Sequence, residues 1–590
     1  LNRPDWNPPP CYWKSRIADG DLSAFRDLAA IKRRRARDKR MNCDCAQWLT
    51  WYRSPWPDYQ QYLACFSFLS CSDRRIRQNE CTSWNYRPLL SISLPVFKVE
   101  KKYLHECLTS VETQVYQFWE LCIVDDGSRD PEIDAEINAF ANRNPNRTRV
   151  IKRETNKGIA RTSQETIDMA QGEFVVLLDH DDRLAPEALY EVVKRLNEDP
   201  GLDWIYTDHD KISPAGERYQ YFLKPDWSPD LLLSYNYLLH LSVIRRSVLL
   251  KAGGFDPAYD GAQDYDLYLR IAELTNNIGH LPMVLYSYRQ VQGSLADDQH
   301  AKPGTHERGR TALAHALERR GISGTAEHVK NAWPGNYCIT GISKTPSLAV
   351  FCPVSTTQTD VAFTAKISPL ENGSVEFIYP RKGETSVAGL ARALNQRPEP
   401  HVLVLAPTIK LEKSHLQALI DCGSIDGVAA STPKIIRSDN VVDHCGLAVS
   451  TEGQIFFPLR GMQADEPAYG AFGQVRRNVS LVSSHCVLLN RKIVLKTGGI
   501  DTTLDMPGAI LDFCLKARVA GYRIVADGGI IATITGTTLN IDENLRPGGR
   551  DFQKLMRRYP TMLAGGDPFY NRYLRTAPPD FGVKYEKHPK

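Results

Sequence analysis

The 590-residue chain has no apolar run of the roughly 18 residues that a membrane-spanning helix needs; the nearest, residues 237–244, is short and broken by His240. An integral membrane protein is therefore not expected. No charged-then-apolar signal segment opens the sequence, and 14 cysteines are too dilute in a chain of this length for a disulfide scaffold. Reduced thiols and a cytoplasmic location are the expectation. Cys11, Cys43, Cys45, Cys65, Cys71 and Cys81 crowd the first part, yet they form no paired C-x-x-C spacing and no nearby His completes a zinc set. Neither sign of charge is in excess: 73 Lys and Arg against 69 Asp and Glu leave +4, too near balance for a protein that coats nucleic acid.

What remains is a globular composition, 42% apolar and 24% charged, with length for three or four domains at roughly 100–200 residues each. Residues 1–85 are rich in Trp, Tyr, Arg and Cys and show no sustained helical or strand period. Within them, residues 32–40 are nearly all basic and follow Leu22, Phe25, Leu28 and Ile31 at helical spacing. Such a helix either turns a solvated face to another domain or docks on anionic lipid as a peripheral contact at the inner face of a membrane.

From Leu89 the pattern changes. Residues 89–97, 120–124, 149–153 and 174–178 read as strands, and 103–114, 133–142 and 159–170 as helices. Alternation of this kind, with the clearest strand, 174–178, continuously apolar, predicts an α/β domain with a mostly parallel sheet covered by helices on both faces. Ligands of such sheets lie beyond the carboxyl ends of the strands. Two acidic clusters occupy those positions: Asp125-Asp126-Gly127-Ser128 and Asp179-His180-Asp181-Asp182.

An internal repeat sets the larger plan. Residues 247–256 (SVLLKAGGFD) match 492–501 (KIVLKTGGID) without a gap at a shift of 245, and 264–270 similarly match 510–516. Two related domains are expected, at 86–296 and 348–539, with a helical linker at 297–347 and a tail at 540–590. The second copy is degenerate: aligning 174–178 with 401–405 sets Asp179, His180, Asp181 and Asp182 against Ala406, Pro407, Thr408 and Ile409, and Asp264 against Ile510, while Asp266 is kept as Asp512.

Carboxylates at Asp179, Asp181 and Asp182 directly after an apolar strand are costly unless a cation is shared, and a divalent ion bridging them to a diphosphate is the economical explanation. A lone D-x-D is a weak signal. Here it stands beside the Asp125–Ser128 cluster and Asn156-Lys157-Gly158-Ile159-Ala160-Arg161 at a helix start. Together with Pro95-Val96 and residues 263–270, in this order and spacing, these segments resemble the family 2 glycosyltransferases of GT-A fold, most closely bacterial enzymes of O-antigen and other surface-polysaccharide synthesis with tandem domains. The resemblance covers about 86–296 with high specificity and 348–539 with less; it does not account for 1–85 or the tail.

Carried over, the resemblance implies an inverting, metal-dependent hexosyl- or deoxyhexosyltransferase that uses a UDP-, dTDP- or GDP-sugar donor and a glycan or lipid-linked glycan acceptor. Pro95 and Val96 would line the base, and Asp125 and Asp126 would contact base and ribose. Asp179 would face ribose or sugar, with Gly158, Arg161 and His180 also on the donor side. Asp181, with help from Asp182, would hold Mn²⁺ or Mg²⁺, and Asp264 would be the general base, its alternative role being a helix N-cap. Asp208, Lys224, Trp227 and His240 would serve the acceptor. Two departures stand out, Gln263 where an acidic residue is frequent and Ser287 where a histidine is common. The competing reading is a non-catalytic glycan-binding or assembly protein with relic domains. A sugar-nucleotidyltransferase would show a Gly-rich phosphate loop early in the chain, and residues 91–106 contain no glycine.

Overall fold

The computed structural model describes residues 54–66, 71–291, 304–330, 332–343, 347–354, 373–535, 541–577 and 580–584. The basic run 32–40 and the first cysteines lie outside these; Cys81 is buried, and burial together with the neighbouring Glu80 pushes its thiol up to about 11. The chain forms two units by internal contacts, Leu1–Lys224 with Leu238–Gly309 and Gly582–Lys590, and Pro225–Tyr237 with Arg310–Phe581. No helix among the described residues is long and apolar enough to cross a membrane.

The first unit is built on strands β1 (Leu90–Val96), β2 (Trp119–Asp125), β3 (Thr148–Lys152), β4 (Phe174–Leu177), β5 (Arg183–Leu184), β6 (Trp204–Ile212), β7 (Arg218–Phe222), β8 (Ser242–Arg245) and β9 (Ile278–Arg289). Their order is β3-β2-β1-β4-β8-β6-β9-β5, with β7 paired to β6. The first four strands run parallel, β8 is antiparallel to β4 and β6, and β6 and β9 run parallel. Every residue of β1, β2 and β4 is buried, the burial of a strand with both faces covered. Helices Lys101–Glu112, Pro131–Arg143 and Ile159–Met169 fall within three residues of the sequence-predicted spans. The second of them starts where Asp130 accepts from the amide of Glu132, with Pro131 at the first helical position.

The second unit contains β10 (Thr325–His328), β11 (Tyr337–Thr340), β12 (Ser347–Phe351), β13 (Ser374–Ile378), β14 (His401–Leu405), β15 (Ile409–Leu411), β16 (Val428–Ile436), β17 (Val442–His444), β18 (Ala448–Val449), β19 (Ile455–Phe456), β20 (Arg476–Asn478), β21 (Cys486–Asn490) and β22 (Arg523–Ile534). Its large sheet has the order β13-β12-β14-β21-β16-β22-β15, with β17 paired to β16 and β20 to β22. Strand for strand this is the path β2-β1-β4-β8-β6-β9-β5 of the first unit, with the same parallel and antiparallel pairings.

The matched segments share local structure as well. Helices Arg246–Lys251 and Arg491–Lys496 each run into two glycines of positive φ, Gly253 and Gly254, and Gly498 and Gly499. In the first unit Arg270 donates to the carbonyls of Ala252 and Gly254 and to Asp266; in the second, Lys516 donates to Gly499 and pairs with Asp512. Asp266 and Asp512 thus serve the fold, orienting the cation that satisfies this glycine turn.

Candidate active site

The carboxyl ends of β1, β2 and β4 open on a cleft of about 440 Å³ whose lining includes Pro95, Val96, Asp126, Asn156, His180 and Asp181. Asp125 closes β2 and is turned inward to Ser128, whose hydroxyl donates to it at 2.5 Å. Asp126 is buried and organises the next loop: it accepts from Arg153 at 2.8 Å and from the amides of Lys157 and Gly158 at 2.9 and 3.1 Å. Gly158 has φ +92°, and a Cβ there would meet the carboxylate of Asp260 at 2.2 Å. Asp260 needs that space, because it accepts from the amide of Ala160 at 2.9 Å and so supplies the cap that Gly158 cannot. Arg161 is exposed on the first turn of the same helix.

The turn after β4 is held by β9. The hydroxyl of Tyr286 donates to Asp182 Oδ2 at 2.6 Å and accepts from the amide of Asp179 at 3.2 Å; the amide of Arg289 donates to Asp182 Oδ1 at 2.7 Å, and its Nε to the carbonyl of Asp181 at 2.7 Å. Asp182 is therefore an internal anchor with both oxygens engaged. Burial, and then the charges of Asp181 and Asp179, push its carboxyl well above the usual range. Asp181 presents a half-buried carboxylate to the cleft, and His180 Nδ1 sits 3.0 Å from the carbonyl of Pro95.

A second group of side chains meets Asp179. His240 Nε2 lies 3.5 Å from Asp179 Oδ2, and its ring stacks on Tyr286 at 5.2 Å. Asp264 accepts from the amide of Tyr265 at 2.9 Å; burial raises its carboxyl above the ordinary value, with His240 opposing and Asp179 adding to the shift. Asp264, His240 and Asp179 are thus electrostatic neighbours. The N-cap of helix Gln263–Ile271 is Ala262, and Asp264 stands in the first turn, where it accepts from the amide of Tyr265.

Two expected acceptor residues have no exposed surface. Asp208 accepts from the amide of Lys224 at 2.6 Å and contacts His280 Nε2 at 2.9 Å. Lys224 donates from Nζ to the carbonyls of Leu238 and His240, and burial pushes its ammonium down to about 7, against the opposing pull of Asp208. Lys224 carries the backbone of His240 from within the core, and Asp208 holds Lys224 by its amide. Trp227 is half-buried in the segment Pro225–Tyr237, which belongs to the second unit. Ser287, noted as a departure, is buried in β9 opposite Arg183 of β5.

Sequence reasoning passed over Tyr286, Arg289, Arg153 and Asp260. The sequence marks this segment only at Ser287, and pairing it with Asp179–Asp182 requires the β5–β9 register. In the second unit Ala406 donates its amide to the carbonyl of His485 at 2.7 Å, and His485 occupies the register position of His240. Among the described residues no group of three or more His, Cys, Asp or Glu side chains is arranged as a metal site.

An α/β domain with carboxylates gathered at the carboxyl edge of its parallel strands is the class that fold and cleft define. Comparison with known proteins makes the family explicit: residues 91–249 match the model described as "Glycosyl transferase family 2", and the chain carries a family 2 glycosyltransferase domain there. It is 31% identical over 484 residues, 74% of this chain and 52% of the relative, to "Uncharacterized protein y4gI" of Sinorhizobium fredii. It is 29% identical over 538 residues, 85% of this chain and 41% of the relative, to "O-antigen biosynthesis protein RfbC" of Myxococcus xanthus. Similarity to "Hyaluronan synthase" of Pasteurella multocida is 28% over 215 residues, 36% of this chain and 22% of that protein. The chain spans about half or less of the length of these relatives.

Proposed function

We propose that the first unit transfers a sugar, with inversion, from a nucleoside-diphosphate-sugar to a hydroxyl of a glycan or lipid-linked glycan in surface-polysaccharide synthesis. The observation that carries this reading is the division of labour among the carboxylates. Asp125 and Asp182 are spent on internal partners and Asp126 holds the loop beside the cleft it lines, whereas Asp181 presents its carboxylate to the cleft and Asp264 is a half-buried electrostatic neighbour of His240. The relatives named for O-antigen biosynthesis and hyaluronan synthesis agree in chemical class.

Pro95 and Val96 offer an apolar wall to a base, and the loop that Asp126 holds fixes the position of Asn156 beside it. Asp264 takes the proton from the acceptor hydroxyl as that oxygen attacks the anomeric carbon from the face opposite the leaving diphosphate. A base so placed contributes about 10²–10⁴-fold. Burial raises its pKa above the ordinary carboxylate value, which strengthens it as a proton acceptor. His240, hydrogen-bonded by its amide to Tyr288 and stacked on Tyr286, orients Asp179 and steadies the charge on Asp264.

The donor set fits Mn²⁺ or Mg²⁺ held by Asp181, with Asp179 at hand, since two partly exposed carboxylates one residue apart repel unless a cation lies between them. Asp182, named with Asp181 at the outset, is assigned to holding the turn. Such an ion, when bound, supplies Lewis-acid stabilisation of charge on the departing diphosphate.

The second unit, with Ala406, Pro407 and Thr408 at the corresponding strand end, is read as a related domain without this chemistry. The test of the whole reading is to offer the purified chain a panel of nucleotide-sugars with Mn²⁺ and follow release of nucleoside diphosphate. Release from one donor, enhanced by a glycan acceptor, is expected; no release from any donor, with or without acceptor, would favour the relic-domain alternative.

A further inference from the structure

The second unit contains a cleft of about 610 Å³. That is within the roughly 300–1,000 Å³ of small-ligand sites. Ile455, Phe457 and Leu545 give it an apolar wall, Gln454 offers an amide, and Arg460 and Arg546 bring two guanidinium groups; no carboxylate is among its lining residues.

Arg460 is held in place. Its guanidinium lies 3.6 Å from the centroid of the Phe457 ring, its Nε donates to the carbonyl of Asp443 at 2.9 Å and its Nη2 to Asp443 Oδ1 at 3.2 Å. Behind them runs a buried polar chain: Asp443 Oδ1 is 2.9 Å from His444 Nδ1, and His444 Nε2 is 2.7 Å from Ser483 Oγ. Ser483, His444 and Asp443 have the partner order of an acyl-transfer triad. The side chains of His444 and Asp443 have no exposed surface, and the residues that reach the cleft are Phe457, against which His444 packs at 5.4 Å, and Arg460. The chain of bonds therefore acts on position: it fixes Asp443, and Asp443 fixes the Arg460 fork.

We propose that this cleft binds a sugar ring bearing an anionic group, carboxylate or phosphate, as part of the glycan on which the chain acts; the inference rests on the transferase reading. A pyranose has apolar faces suited to the Phe456 and Phe457 wall, hydroxyls suited to Gln454 and Thr576, and an anionic substituent suited to the exposed guanidinium of Arg546, with the Nη1 of the anchored Arg460 beside it. The second unit would in this way hold an acidic acceptor while the first performs the chemistry.

Saturation-transfer NMR on the full chain tests this with three probes: glucuronate, glucose 6-phosphate and glucose. Ring-proton signals are expected from one or both anionic probes, the stronger identifying carboxylate or phosphate, and none from glucose. Arg546→Gln, at an exposed position, should weaken that signal about tenfold or more, as expected of a lost charge-assisted hydrogen bond. Excess UDP should leave the signal in place. Equal binding of glucose, indifference to Arg546→Gln, or displacement by UDP would overturn the proposal. Nucleoside diphosphate release, measured on the same samples, reports on the first unit alone. A chain that releases none yet keeps Arg546-dependent anion binding would favour the relic-domain alternative and leave the cleft a binding site for an anionic sugar without the transfer.

Discussion

Tyr286 Oη lies 2.6 Å from Asp182 Oδ2 and 3.2 Å from the amide nitrogen of Asp179, so one hydroxyl from the last long strand of the first unit fixes both ends of the acidic turn. Removing it should loosen the turn without touching the carboxylates themselves. Tyr286→Phe is expected to cost about 1–3 kcal/mol, the cost of leaving a buried acceptor unsatisfied. Denaturant unfolding would show the loss, and a rise in the KM for donor would accompany it.

Asp181→Ala removes the carboxylate that faces the cleft. Metal-stimulated donor binding, followed by calorimetry with Mn²⁺ present and absent, should disappear, and turnover with it. Donor binding that still responds to Mn²⁺ in this variant would rule out Asp181 as the ligand.

Asp264→Asn fills the same space without accepting a proton. Turnover should fall about 10²–10⁴-fold while donor affinity stays within a few-fold. Because burial raises the Asp264 pKa, the wild-type rate should climb with pH as this carboxyl loses its proton, and that limb should be absent from the residual rate of the variant. Parallel loss of donor affinity would move Asp264 from base to binding site.

Lys224 gives a pH dependence of stability. Its ammonium sits at about 7 in the fold and at about 10.4 when unfolded, so between these values the unfolded chain binds more protons and stability rises with pH. The contribution is complete above the unfolded value and is lost as pH falls toward 7. Lys224→Met should flatten this rise by on the order of 1 kcal/mol, visible as a smaller difference in urea midpoints between about pH 7 and about pH 9.5. An unchanged difference would remove Lys224 as its source.

Ala406→Asp with Thr408→Asp restores an acidic pair at the end of β14. No second activity should appear when the pair is placed in an Asp264→Asn background, because the position aligned with Asp264 carries Ile510 and Ala406 is tied by its amide to His485. Nucleoside diphosphate release above that of Asp264→Asn alone would show that only the acidic pair had been missing.

Much of the first unit was legible in order along the chain. Residues 89–97, 120–124 and 174–178 are buried on both faces, with Ser91 and Glu120 satisfied by one another, and the resulting strands match those spans to within about two residues. The two large sheets share a path of seven strands. Acidic clusters at strand ends could be placed beside a cleft because a parallel sheet presents its carboxyl ends together.

Residue type misled where a long-range partner intervened. Asp208 and Lys224 read as groups for an acceptor, but His280 and the carbonyls of Leu238 and His240 draw them into the interior. Asp182 read as a metal ligand, but Tyr286 and Arg289, more than a hundred residues later, occupy both its oxygens. Local periodicity and the chemistry of short motifs suffice for strands, helices and candidate carboxylates, because those signals lie within a few turns of chain. Which carboxylate faces the cleft and which is buried depends on the pairing of β9 with β5 and β6, a contact whose register no local segment encodes.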